Sequence, residues 1–341
     1  MKKIQLAIVF ILCCMLLLSC GQAPKYEKQS FFAMDTMVEL RIYSEVENAA
    51  EIFADGKTVV AQIENALSVT KEGGDTFRLN AAEGAIDDGT EHLIRLIEIS
   101  EEISRATGGS FDIRTGALIS LWKQCESEGR LPTEKELSEA VALAKGEISV
   151  EGTRVSKSDA DMKLDFGAIG KGYAADILVG RLRASGVTCG MISFVSTVTV
   201  FGERPAGDFR VAIRRPDTSG EPAGYVTLHD ASLSVSGNYE RYYEIGGVKY
   251  DHILGPETGY PAAEGIESAV VIAESGAYAD ALSTAITVMG AEKTQALYES
   301  GQMTFEAALF MGDEILVTDG FSENFELADD GYTVVLLSDR Y

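Results

Sequence analysis

Residues 165–176 read Asp-Phe-Gly-Ala-Ile-Gly-Lys-Gly-Tyr-Ala-Ala-Asp, and the rest of the chain is organised around this stretch. The pattern predicts a short apolar strand that runs into a glycine-rich turn and then into an amphipathic helix. Three glycines within six residues permit close backbone approach to a ligand, and the unpaired N–H groups of a helix start favour an anion. Because Lys171 adds a positive charge, the turn suits a phosphate-bearing ligand. The spacings of a Walker loop and of Gly-x-Gly-x-x-Gly are absent, so a plain glycine-rich turn is the alternative.

The N-terminal residues have the layout of an export signal. Lys2 and Lys3 precede an apolar run over 4–18, which at about fifteen residues is short for a membrane span. The run ends in Leu17-Leu18-Ser19-Cys20-Gly21, which resembles a bacterial lipobox and implies cleavage before Cys20 and lipidation of its thiol. An ordinary signal peptide with an incidental cysteine is the alternative. We expect a lipoprotein signal peptide at 1–19, a lipid-anchored tether at 20–30 and a mature domain at 31–341, held on the extracytoplasmic face of the cell membrane.

The formal net charge of −24 limits the kinds of partner. It argues against DNA, RNA and anionic lipid headgroups, because their phosphates would be repelled over most of the protein surface. A phosphate ligand must therefore be held by a local device, and a divalent cation recruited by carboxylates is the obvious candidate. The mature domain 31–341, about 310 residues, is long enough for one large domain or two medium ones.

The cysteine count excludes a disulfide scaffold. Removal of the signal takes Cys13 and Cys14 with it and leaves Cys20, Cys125 and Cys189. Three cysteines are too few for a disulfide framework. Cys125 and Cys189 either form a single bridge or remain two free buried cysteines.

Hydrophobic periodicity predicts strands and helices that mix without a strict βαβ rhythm, which favours an α+β class over a doubly wound parallel sheet. Strands are predicted at 38–42, near 148 and 155, and at 191–201, 209–213, 225–228, 269–273, 315–317 and 333–337. Helices are predicted at 52–67, 93–103, 117–122, 174–182 and 278–289. A second helix follows the last of these and runs through Leu297. Another helix begins after Thr133, which is its predicted N-cap.

His252 stands out among the histidines of the chain. His92, His229 and His252 are too few for a His-rich zinc site. His252 lies in the loop 250–261, which is rich in glycine and proline, instead of in the core of an element. An unperturbed imidazole pKa of about 6.5 suits general acid–base chemistry. A structural or merely solvated histidine is the alternative.

Asp280 and Thr284 are four residues apart at the start of a predicted helix, so they share one face. Together with a backbone carbonyl they would supply hard oxygen ligands suited to Mg²⁺. The alternative is that Asp280 merely caps or complements the start of the helix.

Several ordered motifs together resemble one family, the FAD:protein FMN transferases, also called ApbE-type flavin transferases. The similarity runs from Met34 to about Leu297. Its most specific stretches are 165–173, Ser-Gly-Asn-Tyr-Glu-Arg at 236–241, His-Ile-Leu-Gly-Pro-Glu-Thr-Gly-Tyr-Pro at 252–261 and Ala-Asp-Ala-Leu-Ser-Thr-Ala at 279–285; residues 109–112 with Trp122 and residues 78–80 add support. The resemblance implies that 31–341 forms one mixed α/β flavin transferase domain, T-fold-like and of the α+β class.

The same resemblance implies two groups of site residues. The first group falls on FAD-contacting positions: Met34, Ser110, Phe111, Asp112, Asp165, Lys171 and Ile253. The second falls on a magnesium site: the Ala168 carbonyl, Asp280, Ser283 and Thr284. Magnesium at this position agrees with the charge argument, because a diphosphate binds to an acidic protein only where a cation offsets the negative charges.

The implied reaction is phosphoryl transfer with FAD as substrate and Mg²⁺ as cofactor. A threonine or serine hydroxyl of a partner protein attacks the FMN phosphorus, and AMP leaves. The transition state gains most from positioning and charge neutralisation, which Mg²⁺ and Lys171 would supply. His252 is the candidate for removing the hydroxyl proton. Asp280 is the alternative base, on condition that the metal does not fully engage it.

The resemblance also indicates the partner, a membrane-associated flavoprotein subunit of an electron-transfer complex with a short Thr- or Ser-containing acceptor motif. Two rival functions remain. One is hydrolysis of FAD to FMN and AMP, with water in place of the protein hydroxyl. The other is a lipid-anchored flavin-binding protein without turnover.

Three positions depart from the family pattern. Asp35 stands where the family commonly has the glycine of Met-Gly-Thr, and Thr70 stands where a tyrosine often stacks on the flavin. Val195-Ser196-Thr197 replaces a segment with paired glycines. These departures bear on the flavin-ring end of the site more than on its metal and diphosphate end, and the last two lend weight to the non-catalytic alternative.

Overall fold

The computed structural model describes residues 26–204, 207–217, 219–237 and 242–341. The predicted signal peptide at 1–19, Cys20 and the first part of the tether lie outside the described residues, as do Asn238 to Arg241 of the Ser-Gly-Asn-Tyr-Glu-Arg motif. Within the described ranges, no helix is both long and apolar enough to cross a membrane.

Strands and helices alternate irregularly along the described chain. The strands are β1 (Glu27–Ala33), β2 (Thr36–Ile42), β3 (Ala85–Ile86), β4 (Ile148–Glu151), β5 (Arg154–Lys157), β6 (Gly190–Ser193), β7 (Thr197–Phe201), β8 (Phe209–Arg214), β9 (Pro222–Leu228), β10 (Ser232–Gly237), β11 (Tyr242–Ile245), β12 (Val248–Asp251), β13 (Ser268–Ala273), β14 (Glu306–Met311), β15 (Glu314–Val317), β16 (Phe325–Leu327) and β17 (Thr333–Leu336). The helices are α1 (Ala49–Leu67), α2 (Asp75–Ala81), α3 (Glu91–Ala106), α4 (Gly116–Glu128), α5 (Glu134–Leu143), α6 (Gly170–Ala184), α7 (Gly276–Ser300), α8 (Asp319–Asn324) and α9 (Leu337–Arg340), and a 3₁₀ turn covers Ile113–Thr115.

A nine-stranded sheet lies at the centre, in the order β1-β2-β6-β7-β10-β13-β14-β15-β17. Its neighbouring strands are antiparallel except for β15 and β17, which are parallel. Smaller sheets are formed by β3-β5-β4, by β16-β9-β8 and by the β11–β12 hairpin. This predominantly antiparallel sheet with helices confirms the predicted α+β class.

Each face of the central sheet has its own hydrophobic core. Helices α1, α3, α6 and α7 cover one face through buried side chains such as Val60, Leu96, Leu178 and Leu282. The small β16-β9-β8 sheet covers the other face. A third and smaller cluster, around Trp122, joins α4 and α5 to the β11–β12 hairpin.

Most local predictions are confirmed, because the sequence signals act over a few residues. In β2, Val38, Leu40 and Ile42 are buried while the residues between them are partly exposed. Thr133 and Glu136 form a capping box at the start of α5. The two predicted C-terminal helices appear as one element broken at Gly290, whose φ of 82° is outside the helical region. Cys125 and Cys189 are free and buried, so the single bridge does not form.

Two strand predictions are wrong. Residues 162–166 before the glycine turn belong to no sheet, because their hydrogen bonds go to helices and a 3₁₀ turn instead of to the backbone of a strand: the Asp165 N–H donates to the Ile113 carbonyl at 2.8 Å. The predicted strand 191–201 is a hairpin of β6 and β7 that turns at Val195. Val195 has φ of 66°, a left-handed conformation that β-branched residues rarely adopt, so its residue type hid the turn.

Candidate active site

The start of α6 lies against the start of α7 with no side chain between the two backbones. A Cβ added to Gly172 would lie 1.9 Å from the Gly276 carbonyl oxygen. Gly172 is therefore required for helix packing. This finding changes the interpretation of the glycine-rich turn, because the close approach that Gly172 permits is to a second helix and not to a ligand.

Each of these two helices carries a carboxylate that binds the N-terminus of the other. Asp176 of α6 accepts hydrogen bonds from Ser275 Oγ at 2.7 Å, Gly276 N at 2.6 Å and Ala277 N at 3.0 Å. Asp280 of α7 accepts one from Gly172 N at 3.1 Å. We call this arrangement the reciprocal cap. The alternative in which Asp280 caps its own helix is wrong, because Asp176 does so.

The reciprocal cap also affects the ionisation of Asp176. Burial between the helices raises the pKa of its carboxyl group above the ordinary value, and the nearby negative charge of Asp280 acts in the same direction. The hydrogen bonds from Ser275, Gly276 and Ala277 oppose this rise. Sequence reasoning assigned no role to Asp176, although it closes the glycine-rich stretch and lies in the same helix as Lys171.

Asp280 is 3% exposed and is surrounded by donors. Its Oδ1 accepts a hydrogen bond from Ser234 Oγ at 2.9 Å and a longer one from Thr197 Oγ1 at 3.4 Å. The Lys171 Nζ lies 3.5 Å from the same oxygen, so lysine and carboxylate form an ion pair at the base of the site. The structure thus brings together Lys171 and Asp280, which are 109 positions apart in the sequence.

The predicted hydroxyl ligands Ser283 and Thr284 lie one turn along α7 from Asp280 and meet Ser236 of β10. Ser236 Oγ is 2.7 Å from Ser283 Oγ and 3.1 Å from Thr284 Oγ1. Ser283 Oγ also donates to the Asp280 carbonyl oxygen at 2.8 Å. Ser234 and Ser236 were missed by the sequence analysis, and the alternation of serines along β10 was the signal that would have found them.

The chemistry of this donor set fits a hard divalent cation. The described residues hold no group of three or more His, Cys, Asp or Glu side chains arranged for a metal ion. A cation here would depend on one carboxylate, neutral hydroxyl and carbonyl oxygens and groups brought by the ligand. Mg²⁺ binds in this way, through one or two carboxylates, waters and substrate phosphates. Asp280, Ser283 and Thr284 are the residues of this donor set that would hold it, and the Ala168 carbonyl of the glycine turn stays a prediction.

The glycine turn itself is held from both sides. Asp165 Oδ1 accepts a hydrogen bond from Gly167 N at 2.8 Å, and Lys171 Nζ donates to the Gly167 carbonyl at 3.3 Å. Just before the turn, the amide of Asn80 donates to the Leu164 carbonyl at 2.8 Å and accepts from its N–H at 2.7 Å. The predicted site residue Asp165 is therefore fixed by a residue from α2.

A buried lysine, Lys157, supports the same segment. Its Nζ donates to the carbonyls of Ala160 at 2.8 Å, Met162 at 2.9 Å and Asn80 at 3.2 Å. The side chain is nearly inaccessible, and burial lowers the pKa of its ammonium group. Sequence reasoning missed Lys157, because a lone lysine in a strand carries no pattern that indicates burial.

His252 lies at the end of β12, in the part of the molecule built on the third hydrophobic cluster. Its side chain is 36% exposed, and its Nδ1 is 3.2 Å from Asp251 Oδ1. The loop that follows is tied to α4, because Trp122 Nε1 donates to the Gly259 carbonyl at 2.9 Å. The Trp122 ring stacks on Tyr243 with their centroids 5.5 Å apart. We call α4, α5, β11, β12 and this loop the histidine module.

Charge effects relate the histidine module to the glycine turn. Burial raises the pKa of the Tyr243 hydroxyl, and the negative charges of Asp165, Glu126 and Asp251 raise it further. Tyr243 therefore lies within electrostatic range of both Asp165 and Asp251.

The other predicted FAD-contacting residues are placed in different ways. Met34 and Asp35 form the β1–β2 turn with φ of 51° and 57°, and Met34 N donates to Glu64 Oε1 at 3.0 Å. Phe111 is buried in the main core. The Asp112 carboxylate accepts from Arg114 N and Nε, each at 2.8 Å, and Ser110 precedes it in the same turn. Ile253 is buried, and its N–H donates to Asp251.

Among the departures from the family pattern, Thr197 contributes directly to the site. It lies 2.9 Å from Ser234 Oγ and also reaches Asp280, so its hydroxyl is part of the donor set. Val195 is 50% exposed at the tip of its turn. Thr70 is exposed near Ser68.

Three comparisons place these features among known proteins. A model described as the ApbE family matches residues 34–309. The FAD:protein FMN transferase of Treponema pallidum is 32% identical over 304 residues, which cover 82% of this chain and 83% of that protein. The apo crystal structure of the flavinyl transferase ApbE of Pseudomonas stutzeri is 26% identical, with a TM-score of 0.76 over 89% of this chain and 98% of that one. The ApbE protein of Thermotoga maritima is 27% identical, with a TM-score of 0.76 and coverage of 89% and 97%.

Proposed function

Because the chain belongs to the ApbE family, we propose that it is a magnesium-dependent FAD:protein FMN transferase that modifies a threonine or serine of an acceptor flavoprotein. In this reaction the acceptor oxygen forms a bond to the FMN phosphorus of FAD. The bond from that phosphorus to the bridging oxygen breaks, and AMP leaves with this oxygen. The hydroxyl proton passes to a base on the enzyme.

The observation that carries the proposal is the Lys171–Asp280 ion pair beside the hydroxyl groups of Ser234, Ser236 and Ser283. A buried carboxylate with neutral oxygens around it would hold Mg²⁺ against a diphosphate, and the bound cation would offset negative charge on the phosphate oxygens. Lys171 adds a second positive charge from the turn side. Both charges act locally, which an acidic protein of net charge −24 requires.

His252 is the better of the two candidate bases. Asp280 already accepts hydrogen bonds from Gly172, Ser234 and Thr197, pairs with Lys171 and is the one carboxylate proposed to hold the metal, so it is poorly placed to take a proton as well. His252 is partly exposed in the loop that follows β12. Imidazole is the side chain that most often serves as a general base in enzymes.

The place of action is part of the same proposal. The lipobox-like stretch at 17–21 supports a lipid anchor at Cys20, with the domain on the extracytoplasmic face of the cell membrane. The acceptor would then be an exported or membrane-associated flavoprotein subunit of an electron-transfer complex.

The test incubates the full chain with FAD, Mg²⁺ and candidate exported flavoproteins. We expect AMP release and an acceptor mass increase equal to FMN, and both are absent without Mg²⁺. Free FMN formed in the absence of any acceptor would instead support hydrolysis of FAD. If the protein binds FAD but releases no AMP in the presence of acceptor and Mg²⁺, the result would support the alternative of a non-catalytic flavin-binding protein.

A further inference from the structure

The carboxylate of Asp251 holds two neighbouring groups of the His252 loop. Its Oδ1 accepts a hydrogen bond from Ile253 N at 2.9 Å and lies 3.2 Å from His252 Nδ1. The side chain of Asp251 is only 9% exposed, whereas that of His252 is 36% exposed. A largely buried carboxylate thus backs a more accessible imidazole at the end of β12.

We propose that Asp251 is a positioning residue that fixes the tautomer and orientation of His252 for proton removal from the acceptor hydroxyl. The inference rests on the proposed function, in which His252 is the base. A carboxylate at Nδ1 keeps the ring proton on that nitrogen, so the lone pair is on Nε2. The negative charge of Asp251 also stabilises the imidazolium that forms when Nε2 takes a proton.

The contact with Ile253 alone does not account for a charged residue at this position. A neutral side-chain oxygen at position 251 is enough to accept a hydrogen bond from Ile253 N. The amide oxygen of an asparagine side chain would form the same turn. A nearly buried carboxylate is costly unless charged or polar groups compensate it. His252 is the neighbour that gains from the charge, because its protonated ring is positive.

The position of the loop agrees with this role. The charges of Asp251 and Asp165 both act on Tyr243, so the Asp251–His252 pair and the start of the glycine turn are both within electrostatic range of that ring. Trp122 holds the far end of the loop through Gly259. The loop is therefore held at Gly259 and, through the hydrogen bond from Ile253 N to Asp251, at its start beside His252.

The test is a double-mutant cycle in the full chain, with Asp251→Asn, His252→Ala and the double variant assayed for FMN transfer to the acceptor. Asparagine keeps an acceptor for the Ile253 N–H but removes the charge. We expect Asp251→Asn to lower kcat about 10- to 100-fold, with the FAD dissociation constant changed less than about twofold. In the His252→Ala background, Asp251→Asn should lower kcat less than about twofold, because the imidazole through which Asp251 acts is absent.

Glu257→Gln is the matched control, since Glu257 is an exposed carboxylate of the same loop. It should leave kcat unchanged. A loss from Asp251→Asn that is equally large in the His252→Ala background would show a purely structural role and overturn the inference. Wild-type kcat in Asp251→Asn would also overturn it. If His252→Ala itself keeps full activity, the assignment of the base in the proposed function fails instead.

A second measurement needs no variant at Asp251. The ¹⁵N chemical shifts of the His252 ring, assigned by their loss in His252→Ala, report which nitrogen carries the proton in the neutral form. We expect protonated Nδ1. A neutral ring protonated at Nε2 would overturn the inference, even if Asp251→Asn failed to fold.

Discussion

Asp280 and His252, the two residues on which the proposed function depends, differ in how firmly the structure holds them. We call the surroundings of Asp280 the buried side and those of His252 the accessible side. Asp280 is 3% exposed and is contacted by groups from α6, β7 and β10. His252 is 36% exposed on a loop supported by a cluster of seven buried residues. Asp280 is therefore held like a residue of the hydrophobic core, whereas His252 lies in a surface loop whose backbone is held at Ile253 and at Gly259.

The difference follows from what each side must do. A carboxylate that holds a cation against a diphosphate must keep its geometry before the ligand arrives, because reorganisation would weaken the stabilisation of charge. A base that takes a proton from another protein must remain accessible to that protein. Burial is therefore compatible with the role proposed for Asp280 and incompatible with that proposed for His252.

The largest expected effect lies on the buried side. Asp280→Ala should reduce transfer at least about a thousandfold, because it removes the one carboxylate of the donor set. The fold should remain, with a loss of about 1–3 kcal/mol from donors left without their acceptor. Acceptor mass and AMP release measure the activity, and circular dichroism measures the fold. Full activity in this variant would show that the metal site is elsewhere.

On the accessible side, His252→Ala should slow transfer by about a hundredfold or more while FAD affinity changes little. Removing a base affects the proton transfer, whereas it leaves the diphosphate contacts of the buried side in place. Titration of FAD by fluorescence, beside steady-state transfer rates, separates the two quantities. Equal losses of rate and of affinity would place His252 in substrate binding.

A smaller effect is expected on stability, from the close backbone contact between α6 and α7. Gly172→Ala should lower the free energy of unfolding by about 1–3 kcal/mol or more, because its Cβ would overlap the Gly276 carbonyl. Gly180→Ala is the control in the same helix, since a Cβ there meets nothing within 4 Å. That control should stabilise the protein by about 0.5–1 kcal/mol. Urea unfolding measures both, and equal stability of the two variants would contradict the backbone contact.

The smallest effect concerns the turn before Thr197. Val195→Gly should stabilise the protein by about 1 kcal/mol, because it relieves a β-branched residue at φ of 66° and the gain exceeds the entropy cost of glycine. Val248, an equally exposed valine within strand β12, is the control. Val248→Gly should destabilise. A loss of stability in Val195→Gly would show that no strain is stored there.

The sequence predicted what depends on near neighbours. The alternation in β2, the capping box at Thr133 and the helix break at Gly290 each follow from a few adjacent residues. The family resemblance then pointed to Lys171 and Asp280, which the structure brings into contact.

What the sequence did not predict depends on distant partners. The segment 162–166 lacks strand pairing because its partners are Asn80, Ile113 and Gly116. The exchange of carboxylates between α6 and α7 depends on a helix contact that glycine permits, and glycine alone does not reveal its partner. No pattern marks Lys157, because its three acceptors are backbone carbonyls.

The reciprocal cap has a consequence for protein synthesis. Gly172 and Asp280 are 108 positions apart, so the amide and the carboxylate that meet in the cap are made at very different times. A nascent chain that stops before Asp280 contains Lys171 and the whole glycine turn but lacks the partner that closes the start of α6. The start of α6 therefore gains this hydrogen bond only after the first part of α7 has been synthesised.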